Sequence, residues 1–165
     1  MNNSNQVSRE MRIGMTISSL GRLHAKRVDR AMEERLGLFR GQAMLLMTLA
    51  RKDGLMHSEI AEKLEISPAA ATKVIKRMEE LHYVQRKSDP QDERISRVFL
   101  REEGWIEVRH IRNIFKQVDE IMVSDLTPEE QETLLSLLAR VHNRLLNDPF
   151  NLLTLQETII DDDAS

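Results

Sequence analysis

The segment 57–81 constrains the fold more than any other stretch of the sequence. It contains two short helical patterns separated by a break near Glu65. Ser67 followed by Pro68 is a strong start signal for the second helix. A serine caps the free amides of a first helical turn, and proline fits the first helical position. Two short helices across a tight turn predict a helix-turn-helix.

The second predicted helix separates an apolar face from a polar and basic face. At 100° per residue, Ala71, Ile75 and Met78 fall on one side. The opposite side and its flanks carry small, polar and charged residues: Ala69, Thr72, Lys73, Lys76, Arg77 and Glu80. An outer face of this kind suits the major groove of duplex DNA, where side chains reach base edges and lysines neutralise phosphates.

A β-hairpin is predicted directly after the helix-turn-helix. The segments 83–87 and 95–100 are typical of strands, and the loop 88–94 joins them. Arg94 ends the loop, and Asp92 is close enough in sequence to hold its guanidinium or to cap local amides. A loop arginine is suited to the minor groove, whose negative potential attracts a guanidinium. Helix-turn-helix plus hairpin therefore predicts a winged helix that binds duplex DNA.

The charge distribution supports this interpretation although the total does not. The chain has a formal net charge of −3 at pH 7. Residues 67–101, however, hold eight cations and five anions, a local excess of three positive charges. Such asymmetry favours a polyanionic partner for this segment. The residues predicted to contact DNA are Ser67, Ala69, Ala70, Thr72, Lys73, Lys76, Arg77, Arg86, Lys87, Asp92, Arg94 and Arg97.

The rest of the chain is predicted to be helical. Apolar residues recur at steps of three and four from Ile13 to Ala31, after Glu102 and after Thr127. Thr127 and Glu130 flank Pro128 in the pattern of a capping box at the start of the last helix. The predicted fold class is mainly α with a small β-hairpin wing (α+β).

Two lobes and a tail follow from these elements. We predict a winged helix-turn-helix lobe over residues 38–101 and a helical dimerisation lobe from residues 1–37 and 102–147. Residues 148–165 form an acidic C-terminal tail. The terminal helices carry more apolar periodicity than the small winged lobe can cover, which favours a homodimer over a monomer.

Several protein classes are disfavoured by composition. No apolar run approaches the length of a membrane span, and the N-terminus lacks the apolar stretch of a signal peptide. There is no cysteine, and hence no disulfide or cysteine-type zinc site. The expected compartment is the cytoplasm, with no membrane partner.

Two stretches resemble the MarR-type transcriptional regulators. ISPAAATKVIKRMEELHYVQR is similar to their recognition helix and first wing strand. DERISRVFLREEG, with Asp92, Arg94, Leu100 and Gly104, is similar to their wing signature. The resemblance spans roughly residues 11–146. It implies a homodimer whose first, fifth and sixth helices interlock between subunits.

The sequence departs from the family pattern in three places. His82 stands where the family usually has glycine, so the turn into the first wing strand is expected to differ. Arg101 replaces the usual threonine, and the fifth helix thereby loses a good N-cap. Ala69 and Ala70 occupy positions where polar residues are common. They imply few direct hydrogen bonds to bases, and contact with thymine methyl groups.

Regulation is predicted from the resemblance and from the methionine content. We expect a repressor that binds a pseudo-palindromic operator and that a small aromatic or anionic effector releases. The candidate effector pocket comprises Met15, His24, Met44, Met47 and Met56. The alternative for these methionines is that they simply fill the core. The alternative for the whole protein is a constitutive DNA-bending or protein-binding winged-helix module without an effector switch.

A metal enzyme is the remaining rival interpretation. Glu107 and His110 form a Glu-x-x-His, a spacing used in di-iron helical bundles. Such a site needs a second copy and two more inward carboxylates, and only Glu103 is an obvious helper. No phosphate-binding glycine loop, nucleophile elbow or His-Glu-x-x-His is present. We therefore expect no catalytic residues, no metal and no cofactor.

Overall fold

A computed structural model describes residues 7–89, 92 and 94–147. Residues 7–122 lie in one compact unit, and the following helical segment from residue 123 lies in a second. The elements are α1 (Arg9–Leu36), α2 (Arg40–Arg51), β1 (Leu55–Met56), α3 (His57–Lys63), α4 (Pro68–Glu80), β2 (Val84–Ser88), β3 (Ser96–Leu100), α5 (Glu102–Met122) and α6 (Pro128–Asn147). The predicted class, mainly α with a small winged sheet, is confirmed.

The core of the first unit is built from the apolar faces of α2, α3, α4 and α5 together with the sheet. Leu45, Leu46 and Leu49 of α2 are completely buried in this core. Ile75 of α4 and Ile111 of α5 are also fully buried in the same cluster. Burial of these faces fixes α4 with its polar side outward.

The wing is a three-stranded antiparallel sheet with the order β1-β3-β2. Arg86 pairs with Val98 in the predicted hairpin, and Leu55 of β1 pairs with Val98 from the other side. The two-residue strand β1 was not predicted, because a pair of residues is too short to show an alternating pattern. It anchors the wing to the segment that precedes α3.

Two turns in the winged lobe use a left-handed residue other than glycine. Glu65 has φ 53° between α3 and α4, and His82 has φ 61° between α4 and β2. After α4, His82 N–H donates to Glu79 C=O and Tyr83 N–H donates to Met78 C=O. This is the Schellman arrangement that usually ends in glycine. Histidine therefore adopts the glycine-like backbone, and the expectation of a different turn at this point is wrong.

The second unit contains the turn after α5 and the helix α6. The predicted capping box is confirmed, since Glu130 N–H donates to Thr127 Oγ1 at 3.3 Å and Thr127 N–H donates to a Glu130 carboxylate oxygen at 2.9 Å. No residue of α6 is buried in the part of the chain that the structure describes. Its apolar side chains Leu135, Leu137 and Leu145 are at least half exposed.

None of the described helices combines the length and the apolar character needed to cross a lipid bilayer. The predicted acidic tail, residues 148–165, lies outside the described residues.

Candidate nucleic-acid interface

The first turn of α4 is capped as the sequence predicts. Ser67 Oγ accepts a hydrogen bond from Ala70 N–H at 3.2 Å, and Pro68 occupies the first helical position. The hydroxyl of Thr72 donates back to the Pro68 carbonyl at 2.9 Å. Both hydroxyls at the start of α4 are thus engaged with the backbone of their own helix.

The outer face of α4 is solvent-exposed and carries free cations. Ala69, Thr72, Lys73 and Lys76 are all exposed, and the opposite residues are buried. Neither lysine has a hydrogen bond or ion pair within the described part of the chain. Arg77, by contrast, pairs with Glu80 at 3.3 Å. Unpaired ammonium groups on a protruding helix are available to phosphates or to base edges.

The cations at the base of the wing are engaged within the fold. Arg86 pairs with Glu79 of α4, which joins the wing strand β2 to the recognition helix. Lys87 lies over the Phe99 ring, with Nζ 5.5 Å from the centroid. Their predicted phosphate contacts remain predictions, and for Arg86 such a contact must compete with an existing ion pair.

Arg97 is the most constrained of the predicted DNA-contacting residues. Its Nε donates to the carboxylate of Asp89, which is only 7% exposed. Its Nη1 donates to the carbonyl of Gly54 at 3.0 Å. Arg97 therefore joins β3 to the start of the wing loop and to the residue before β1.

The wing tip holds Arg94 with its side chain free. Asp92 accepts a hydrogen bond from Arg94 N–H at 3.0 Å, and Asp92 N–H donates to Asp89 at 3.3 Å. Asp92 was predicted either to hold the Arg94 guanidinium or to cap a local amide. In the structure its carboxylate caps a local amide. The Arg94 guanidinium has no hydrogen bond or ion pair among the residues described. Pro90, Gln91 and Glu93 of the predicted loop lie outside those residues.

His57, at the start of α3, adds a titratable group behind this surface. Its Nε2 is buried and has no hydrogen-bond partner within the described structure. Burial lowers the pKa of His57, the nearby Arg86 guanidinium lowers it further, and Glu79 opposes the change. The imidazole is thus neutral near pH 7, beside the ion pair that joins α4 to β2.

A cavity of about 270 Å³ lies between α1, α2 and α5. Three of the predicted effector-pocket residues line it: His24, Met44 and Met47. Met15 and Met56 are not among the lining residues. Nε2 of His24 is 2.8 Å from a carboxylate oxygen of Asp119 on α5.

Sequence reasoning missed the cationic and aromatic lining of this cavity. Arg40, Arg51 and Phe115 contribute to its walls, and Arg40 Nη1 lies 3.3 Å from Asp29. A signal for the arginines exists in the sequence. Positions 40, 44, 47 and 51 follow helical spacing and share one face of α2. This face therefore places both arginines beside the methionines Met44 and Met47 that the sequence analysis singled out.

The Glu-x-x-His on α5 forms a local pair. Nδ1 of His110 is 3.2 Å from a carboxylate oxygen of the buried Glu107. Across the described residues, no three histidine, aspartate or glutamate side chains come together as metal ligands. Glu107 also acts on Tyr83: burial raises the pKa of the Tyr83 hydroxyl, and the negative charge of Glu107 raises it further.

A basic recognition helix beside an arginine-tipped wing defines a class, the winged helix-turn-helix DNA-binding proteins. Residues 38–96 match the model of the MarR family. The resemblance drawn from the sequence is confirmed for this segment, which is a MarR-family domain of the kind found in DNA-binding transcriptional regulators.

Two relatives from Bacillus subtilis (strain 168) are similar to this chain. The uncharacterized HTH-type transcriptional regulator YybA is 27% identical over 145 residues, 87% of this chain and 91% of YybA. The HTH-type transcriptional repressor MdtR is 31% identical over 97 residues, 59% of this chain and 63% of MdtR. Since the family and these relatives are transcriptional regulators, the expectation that the protein is not an enzyme is confirmed.

Solved structures of MepR from Staphylococcus aureus have the same fold. MepR, a transcription regulator of a multidrug efflux pump, matches with a TM-score of 0.73 and 22% identity, covering 80% of this chain and 97% of MepR. A MepR mutant bound to an oligodeoxyribonucleotide matches with a TM-score of 0.63 and 23% identity, covering 81% and 97%.

Proposed function

We propose that this protein is a homodimeric repressor that binds a pseudo-palindromic operator and is released by a small effector. The observation that carries this proposal is the outer face of α4, where Lys73 and Lys76 are exposed and have no ion pair among the described residues. Arg94 at the wing tip is also exposed, and its guanidinium has no partner in the described part of the chain. In this proposal α4 enters the major groove, and the wing reaches the adjacent minor groove. The relative MdtR is named as a repressor, and a MepR mutant was solved with an oligonucleotide.

Exposed apolar side chains support the homodimer. On α1, Met15 is 61% exposed and Leu23 is 57% exposed. On α6, Leu145 is 74% exposed. Contiguous apolar surface on helices is typical of a subunit interface. In the proposal, residues 1–37 and 102–147 form the dimerisation lobe and residues 38–101 form the DNA-binding lobe.

The cavity between α1, α2 and α5 supports an effector switch. Apolar methionines and the Phe115 ring offer contact to an aromatic group, and the guanidinium of Arg51 offers a partner for an anion. Because α1 and α5 belong to the proposed dimerisation lobe, a ligand there can favour one lobe arrangement over another. Release of DNA then requires that the ligand bind the DNA-free arrangement more tightly.

A regulator that binds DNA must act in the compartment that holds the chromosome. The proposal therefore places the protein in the cytoplasm.

Selection from random duplexes tests this function. The full chain is expected to enrich an inverted repeat, and an aromatic carboxylate such as a hydroxybenzoate is expected to weaken binding to it. Failure to enrich any sequence would refute operator recognition. Enrichment that no candidate effector changes would instead support the alternative of a constitutive DNA-bending module.

Lys73→Ala provides a residue-level version of this test. If Lys73 reads a guanine edge, the substitution costs about 1–3 kcal/mol and relaxes specificity at one position. If Lys73 contacts phosphate, the loss is uniform and the salt slope falls by about one. Lys116→Ala on α5 is the matched control, because that lysine is exposed beside Glu120 at 3.7 Å and lies outside the winged lobe. Equal affinities and salt slopes for the two variants would contradict the assignment of α4.

A further inference from the structure

The start of α4 shows methyl groups where a recognition helix often shows hydrogen-bonding groups. Ala69 is exposed and has only its Cβ methyl to offer. Thr72 is exposed as well, and its hydroxyl hydrogen is already donated to the Pro68 carbonyl at 2.9 Å. Ser67 Oγ is occupied by the amide of Ala70. The part of the helix nearest its N-terminus is therefore unusually poor in free donors.

Position on the helix brings these methyl groups toward the groove. In helix-turn-helix proteins the N-terminal residues of the recognition helix contact base edges. Residues 69, 72, 73 and 76 share the exposed face, opposite the fully buried Ala71 and Ile75. The methyl groups of Ala69 and Thr72 thus lie beside two free ammonium groups.

The major groove offers one apolar feature that matches these groups. Thymine carries a methyl at C5, and apolar side chains such as alanine and the threonine methyl contact it. Cytosine methylated at C5 carries the same methyl at the same place on the pyrimidine ring. A surface that detects the methyl alone does not depend on the hydrogen-bonding pattern of the base.

We propose that Thr72 and Ala69 read the C5-methyl groups of operator pyrimidines, so that sequence is recognised partly by apolar contact. This inference rests on the proposed function, since it concerns how the same surface selects its operator. It assigns the two lysines on this face to phosphate or guanine contacts, and it makes operator affinity sensitive to methylation at C5 of cytosine.

The test uses four pyrimidines at each thymine position of the selected half-site. Thymine and deoxyuracil differ only by the methyl, as do 5-methylcytosine and cytosine. At the position that is read, we expect about fourfold weaker binding of deoxyuracil than thymine, the effect of about one apolar carbon removed from water. Cytosine is expected to bind more weakly than 5-methylcytosine by the same factor, even if the protein prefers one base pair over the other at that position.

Two substitutions of Thr72 separate its methyl from its hydroxyl. Thr72→Ser keeps the oxygen that bonds to Pro68 and removes the methyl, so the preference for thymine over deoxyuracil at one position should disappear. Thr72→Val keeps a methyl and loses the hydroxyl, so the preference should remain. Ala69→Gly should remove the preference at a different position. Because both residues are exposed, melting temperatures are measured alongside to establish that each variant is folded.

Each outcome of this experiment decides a separate question. If the wild-type protein binds its operator equally well with deoxyuracil at every thymine position, methyl readout is refuted while the proposed function stands. If the preference survives both Thr72→Ser and Ala69→Gly, the assignment to these residues is refuted. If no duplex is selected at all, the proposed function fails, and this inference fails with it.

Discussion

Arg97 and Asp89 form an ion pair at the base of the wing, with Arg97 Nε donating to a carboxylate that is almost fully buried. The same guanidinium donates to the Gly54 carbonyl at 3.0 Å. These contacts join β3 to the segment before β1 and hold the wing loop at its first residue. The wing therefore has an arginine that supports its structure, Arg97, and an exposed arginine at its tip, Arg94, whose guanidinium has no partner among the residues the structure describes.

Arg97→Ala is expected to destabilise the fold. The substitution leaves the carboxylate of Asp89 without its guanidinium partner, which costs about 1–3 kcal/mol for a buried polar group. Urea denaturation measures this as a lower midpoint. Arg94→Ala is the control, because its exposed side chain has no hydrogen bond or ion pair among the described residues, and removing such a side chain changes stability by less than about 0.5 kcal/mol. Equal midpoints for the two variants would show that the ion pair contributes nothing to the wing.

Arg94→Ala is expected to weaken operator binding by at least about 1 kcal/mol while folding and dimerisation stay intact. Arg94→Lys should recover only part of the loss, because an ammonium keeps the charge without the planar fork of donors. Asp92→Ala should give a smaller loss, since it removes the acceptor for Arg94 N–H at 3.0 Å. Binding titrations by fluorescence anisotropy measure all three. If Arg94→Ala binds the operator with wild-type affinity, the wing tip is not part of the DNA interface.

The elements with strong local signals were predictable from the sequence. Ser67 and Pro68 start α4, and Thr127 with Glu130 starts α6, because capping uses only neighbouring residues. Helical periodicity predicted which face of α4 points outward. The complete burial of Ile75, on the opposite face, agrees with that prediction. These features are local, so a single sequence contains all the information that they need.

Features that join distant segments were not predictable in the same way. The partner of Arg97 is Asp89 across a loop, and its second acceptor is Gly54, which is far away in sequence. The lining of the cavity could not be predicted for the same reason, because Phe115 of α5 comes close to α1 and α2 only in the folded chain. The sequence predicted DNA contacts for both Arg94 and Arg97, and only the tertiary contacts show that Arg97 is engaged within the fold.

Gly104→Ala is expected to destabilise the protein. A Cβ at this position would stand 2.1 Å from the carbonyl oxygen of Tyr83, a backbone atom that cannot turn aside. The start of α5 would have to move away from the turn before β2, at a cost of about 1–3 kcal/mol typical of overpacking. Thermal denaturation measures the change.

Gly41→Ala is the matched control for this prediction. It also lies in the first turn of a helix, and its nearest neighbour would be Val74 Cγ2 at 3.9 Å, an ordinary contact. Removing a helical glycine there should be neutral or slightly stabilising. A melting temperature of Gly104→Ala equal to that of Gly41→Ala would contradict the close approach of α5 to Tyr83.

His57 is expected to make stability depend on pH. Burial, aided by Arg86, holds the pKa of folded His57 below its ordinary value of 6.5. As pH falls below 6.5, the unfolded chain therefore takes up the proton before the folded protein does, and stability falls. Above that pH the contribution is constant. Between pH 7.5 and pH 5, the urea midpoint of the wild type should fall as the pH is lowered, and the midpoint of His57→Gln should fall less. Parallel curves for the two proteins would contradict the contribution of His57.

The most direct test of the central claim is a hydroxyl-radical footprint of the selected operator, combined with the mass of the complex by analytical ultracentrifugation. The account predicts two protomers on one duplex, protecting two inverted half-sites whose centres are about 10 bp apart. It also predicts minor-groove protection beside each half-site that is lost in Arg94→Ala. One protomer on a single asymmetric site, with the same footprint for wild type and Arg94→Ala, would contradict both the dimer and the role of the wing.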